Sequence, residues 1–129
     1  MKLKTFQDLD AWKNAHELRL SILKLTPGFP KNYLYGLSTQ LQRSSISVGS
    51  NIAEAFGRRT TKEKLQFYSI AEGSLTEVQD QVILCRDLEL ISKDEYEELY
   101  ELSEKVHKLI HGIMRYLRNT NPELRDTKT

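Results

Sequence analysis

The sequence predicts an all-α protein, an up-down-up-down bundle of four helices, and three observations predict it. Apolar residues recur at spacings of three, four or seven positions in four separate stretches, which is the spacing of one helix face. Two of those stretches open with Thr or Ser followed three residues later by Glu, Thr60 with Glu63 and Ser92 with Glu95, the signature of a capping box. No stretch alternates apolar and polar residues as a half-buried strand does, and no segment repeats another.

Each element is dictated by its own residues. The first helix is expected from Asp8 to Leu25, with Leu9, Trp12, Ala15, Leu18, Ile22 and Leu25 inward. Asp8 and Asp10 favour the positive end of its dipole, and Thr26-Pro27-Gly28-Phe29-Pro30 ends it, because two prolines around a glycine cannot continue a helix. The second helix is expected from Asn32 to Phe56, with Gly57 as its stop. Its core face carries Leu37, Leu41, Val48, Ile52 and Ala55. Beside that face runs a polar stripe, Gln40, Ser44, Ser47, Asn51, Glu54 and Arg58. It is mostly short and uncharged, unlike the Lys and Glu that coat an exposed helix. Serine and asparagine are mediocre helix formers, so the stripe points to close approach by another helix, with polar groups bonded across the contact. Asn51 and Glu54 are expected to be buried there, with Arg58 neutralising Glu54 across an i, i+4 step.

The third helix is expected from Thr61 to Leu88, with Phe67, Ala71, Leu75, Val78, Val82 and Cys85 on one face. In the fourth, Tyr96, Leu99, Ser103, Val106, Ile110, Ile113 and Leu117 step three, four, three, four, a coiled-coil seam. One domain covers residues 1–118, and a polar tail, 119–129, is broken by Pro122 and expected to be flexible. The first helix is the shortest, so it leaves parts of the longer ones uncovered, and an uncovered face implies another subunit.

A chain of 129 residues with net charge +1 feels no global pull toward nucleic acid or acidic lipid. One cysteine, Cys85, excludes an internal disulfide and suits a reducing compartment. No apolar run reaches the roughly 20 residues of a membrane span, and the N-terminus lacks the apolar core of a signal peptide. A cytoplasmic location without membrane contact is expected.

The blocks Gln40-Leu41-Gln42-Arg43, Ser47, Asn51-Ile52-Ala53-Glu54 and Gly57-Arg58 carry a family resemblance. So do the run Phe67 to Glu77, Phe6, Leu9 and Trp12, and Phe29-Pro30 with Tyr35-Gly36-Leu37. Together they resemble the four-helix-bundle family of the intervening-sequence proteins, encoded within insertions in bacterial large-subunit ribosomal RNA genes. One departure is Ala55, where the family usually has glycine. The family is similar to the accessory protein of diversity-generating retroelements, a pentameric barrel that binds nucleic acid and a reverse transcriptase. The resemblance therefore implies a ring-shaped homo-oligomer, a pentamer, with no catalytic activity and no cofactor.

The chemistry legible in the residues agrees with that. Glu104-x-x-His107 has the spacing of a di-iron ligand pair, but such a site needs a second pair, and the chain has three histidines. His107 and His111 suit a chelate by spacing yet flank the seam. No metal and no catalytic site is expected. Charge is distributed unevenly, however. Residues 31–64 hold six cations (Lys31, Arg43, Arg58, Arg59, Lys62, Lys64) against two anions, a net +4. Residues 89–104 hold one cation against seven anions, a net −6. Acids at the start and bases at the end of the fourth helix match its dipole. The cations at the start of the third oppose it. Arg43, Arg58, Arg59, Lys62 and Lys64 are therefore the candidate RNA- or DNA-binding residues, through phosphate. Gln40, Ser44, Ser47, Asn51 and Glu54 are the candidate interface. The competing reading is a scaffold that docks a protein partner and touches no nucleic acid.

Overall fold

The computed structural model describes residues 3–121 and, among them, contains helices and no strands. A 3-10 turn, Phe6–Asp8, precedes α1, Asp10–Leu25; then come α2, Thr39–Gly57, α3, Thr61–Asp87, and α4, Lys93–Asn119. Of the expected tail, residues 122–129 lie outside the described residues. Helices adjacent in sequence pack on one another, and α1 closes the ring of four against α4, the up-down-up-down order that short connections favour.

The N-terminus of α1 differs from the expected start at Asp8. Thr5 caps the 3-10 turn, accepting from Gln7 N, while Asp8 Oδ2 accepts from the backbone of Lys4 and Thr5 at 2.8 and 3.0 Å. Those amides hold the Asp8 carboxyl below its ordinary value. Asp8 thus belongs to the lead-in rather than to the first α turn. Along α1, Trp12 stacks on His16 with ring centroids 4.7 Å apart, and Arg19 Nε donates to His16 Nδ1 at 2.9 Å. Arg19 also reaches the carbonyl of Ile46 on α2 at 3.4 Å. Its guanidinium fills the space over Gly49, where a Cβ would come within 2.7 Å of it.

The second helix enters by a different route from the one its sequence suggests. A turn at Lys31–Tyr33 leads into a π-helical segment, Leu34–Ser38, before α2 proper. The wide turn is tied by Thr39 Oγ1, which donates to the carbonyl of Leu34 at 3.1 Å. An extra residue in one turn rotates the downstream helix about its axis. Leu34 and Leu37 are half-buried, Tyr35 points out at 88% exposure, and the core face becomes Ser38, Leu41, Ser45, Val48, Ile52 and Ala55. Gln42 Nε2 pins this entry to the end of α1 by donating to the buried Thr26 Oγ1 at 2.7 Å.

Gly57 does not act as a left-handed stop, since no glycine has positive φ. The cap is Arg58 in extended conformation. The only left-handed residue among those described is Glu89, φ 58°, after α3. There Leu90 N donates to Cys85 O and Glu89 N to Arg86 O, at 2.9 and 3.0 Å, which is a Schellman closure built without glycine. Ser92 and Glu95 form the full capping box at α4. The core is contiguous, from Ala15, Leu18 and Ile22 of α1 to Val106, Ile110 and Met114 of α4.

Candidate functional site

The polar stripe of α2 divides in two. Ser44 is buried and donates to Gln81 Oε1 of α3 at 2.7 Å. Ser47 Oγ lies 2.8 Å from Ser74 Oγ, and Asn51 Nδ2 donates to both the carbonyl and the hydroxyl of Ser47 at 2.9 and 3.0 Å. Small polar side chains thus let α2 and α3 approach and bond across the contact, as their type suggests. The partner is α3 of the same chain. Gln40 and Glu54 are exposed and Asn51 only half-buried. Burial of Asn51 and Glu54 is therefore not achieved within one chain, because the stripe winds off the α2–α3 contact toward solvent at both ends. Gln40, Arg43, Ser44, Ser47, Ser74 and Glu77 line a shallow hollow there of about 340 Å³.

The basic turn also divides. Arg58 Nη2 meets Glu54 Oε2 at 3.1 Å, the expected i, i+4 pair, and its guanidinium carbon sits 4.5 Å over the ring of Phe67. Lys64 Nζ donates to the carbonyls of Phe56 and Ala55 at 2.9 and 3.2 Å, closing the α2 terminus that Gly57 leaves open. Both cations serve the fold. Arg59 and Lys62 are exposed and enter no salt bridge among the described residues. Between them Thr60 caps α3, accepting from Glu63 N at 3.1 Å and donating to Glu63 Oε1 at 2.9 Å. Arg43 lies roughly 21 Å along α2 from its Gly57 end, at 1.5 Å per residue, and so stands apart from Arg59. The five candidate cations do not form one patch. Arg59 and Lys62 are the two that are grouped and not committed to the fold.

A further cluster is only half visible in the sequence. His107 and His111 share a face of α4, with Nε2 atoms 3.5 and 2.5 Å from Glu72 Oε2 on α3. The carboxylate comes from the neighbouring helix rather than from Glu104. Spacing along α4 reveals the two histidines, but nothing local ties Glu72 to them.

An open, mostly apolar groove of about 500 Å³ lies where α1 stops short of α3 and α4. Leu9, Phe56, Tyr68, Leu109, Ile113 and Tyr116 are among its walls. Burial pushes the Tyr68 hydroxyl up to about 12. Farther along α3, burial pushes the Cys85 thiol up to about 11, which makes it a core residue rather than a nucleophile. No helix among the described residues is long and apolar enough to cross a membrane.

Residues 7–112 match the family described as 23S rRNA-intervening sequence protein. Among solved structures, the fold is similar to a protein of unknown function from the S23 ribosomal protein family of Bacteroides thetaiotaomicron VPI-5482. The TM-score is 0.72 at 23% identity, over 81% of this chain and 95% of that one. No curated protein matches the chain.

Proposed function

This chain belongs to the 23S rRNA-intervening sequence protein family, and from that premise we propose a non-enzymatic bundle that assembles as a ring-shaped homo-oligomer and holds RNA or DNA by its phosphates. The observation that carries the reading is the pair Arg59 and Lys62, exposed at the α2–α3 turn and free of salt bridges among the described residues. Cations at a helix N-terminus oppose the dipole, so an anion arriving there gains both from them and from the helix end. In a pentamer the pair repeats five times, and repetition converts weak single contacts into useful avidity. The apolar groove beside the short α1 supports assembly, because a large exposed apolar face marks an interaction site.

Filter retention of labelled RNA and DNA at two salt concentrations tests the reading. Binding should fall with salt at a log–log slope of roughly −0.7 per phosphate for single strands and −0.9 for duplex. The double reversal Arg59→Glu, Lys62→Glu should abolish it with the helix content unchanged. A second reading, a protein scaffold, is favoured by the near-balanced net charge of +1 and by the commitment of Arg58 and Lys64 to the fold. Absence of retention at low salt selects the scaffold.

A further inference from the structure

We propose that Glu72, His107 and His111 form a binding site for a late first-row divalent metal, zinc foremost, that staples α3 to α4. The three donor atoms lie within 4.8 Å of one another. Nε2 of His107 stands 3.5 Å, and Nε2 of His111 2.5 Å, from Glu72 Oε2. Donors around a tetrahedral zinc sit about 2.0–2.2 Å from the ion, hence roughly 3.4 Å from each other. The first separation already matches, and the second needs to open by about 1 Å to reach that tetrahedral spacing. The two rings meet edge to face with centroids 4.5 Å apart, an i, i+4 arrangement that presents two nitrogens to one point.

Position and chemistry favour the same ligand class. Two imidazoles with one carboxylate suit zinc, copper or nickel, whereas magnesium and calcium take oxygen donors. Side-chain exposures of 42% for His107, 55% for His111 and 25% for Glu72 leave the ion a path from solvent. The fourth position opens onto a hollow lined by His107, Lys108, His111, Gly112 and Arg115. Lys108 and Arg115 repel a bare cation and lower its affinity. They also favour water as hydroxide, or another anion, as the fourth ligand.

The test uses the full-length chain without a histidine tag. Zinc chloride titrated calorimetrically near neutral pH should bind at one ion per chain. His111→Ala and Glu72→Gln should each weaken it by about tenfold or more. Cobalt(II) gives a second readout, because three protein donors and one water produce the intense visible bands of tetrahedral cobalt. Those bands should disappear in His107→Ala. Circular dichroism of each variant checks that the half-exposed substitutions leave the bundle folded. Absence of zinc binding at micromolar protein, or binding indifferent to all three substitutions, would overturn the proposal and leave the cluster a histidine–carboxylate ion pair.

Discussion

Lys64 Nζ donates to the carbonyl oxygen of Phe56 at 2.9 Å, so a residue in the first turn of α3 closes the last turn of α2. Helix C-termini leave carbonyls without intrahelical donors, and a positive charge there also matches the dipole. Lys64→Met should therefore destabilise the chain by about 1–2 kcal/mol without lowering nucleic-acid retention. Urea titration and filter binding on the same variant check both halves. A loss of retention with unchanged stability would return Lys64 to the phosphate-binding set.

The Ser44–Gln81 bond should behave as a buried polar pair. Ser44→Ala leaves Gln81 Oε1 facing the helix contact without its 2.7 Å donor, at a cost of about 1–3 kcal/mol. Replacing both partners with apolar residues, Ser44→Ala with Gln81→Leu, should recover most of that loss. A double-mutant cycle by denaturant titration measures it. Additive losses would show that the two side chains are not coupled.

Glu89 holds φ 58° at the end of α3, a conformation that strains any side chain with a Cβ. Glu89→Gly should raise stability by about 1 kcal/mol, a melting-temperature gain of roughly 3 °C. Thermal unfolding followed by circular dichroism tests this. A lower melting temperature would mean that the Glu89 side chain stabilises the turn in a way that outweighs its backbone strain.

Cys85 is 1% exposed, with its thiol pushed up from 9.0 to about 11 by desolvation. The folded state holds the thiol proton more tightly than the unfolded state does. Its stabilising contribution is complete below the unfolded value of 9.0 and is lost as pH climbs through about 11. At mildly alkaline pH the folded protein should react with a disulfide reagent orders of magnitude more slowly than the urea-unfolded chain. Equal rates in the two states would contradict the burial.

Assembly is tested at the groove beside α1. Multi-angle light scattering of the purified chain should give a mass near five chains. Tyr116, 66% exposed on its rim, should shift the mass downward when changed to Glu, with helix content unchanged. A monomeric wild type would remove the ring and, with it, the fivefold repetition of Arg59 and Lys62.

The sequence by itself determined the number of helices, the bounds of α3 to within a residue, the capped start of α4 at Ser92 and most of the core. Capping and helical periodicity act within four residues, so Ser92 with Glu95, Arg58 with Glu54, and the seam from Leu99 to Ile110 are all local facts. The same locality explains what the sequence left open. The π-helical entry at Leu34–Ser38 joins the Phe29-Pro30 corner to a helix whose face packs on α1 and α3. Whether a cation is free depends on what other elements offer it. Lys64 is taken by carbonyls of α2 and Arg58 by a ring of α3, while Arg59 and Lys62 remain exposed. Glu72 meets His107 and His111 only because antiparallel packing brings α3 alongside α4. Short-range chemistry wrote the helices; the packing of one helix on another decided which side chains are left to bind anything else.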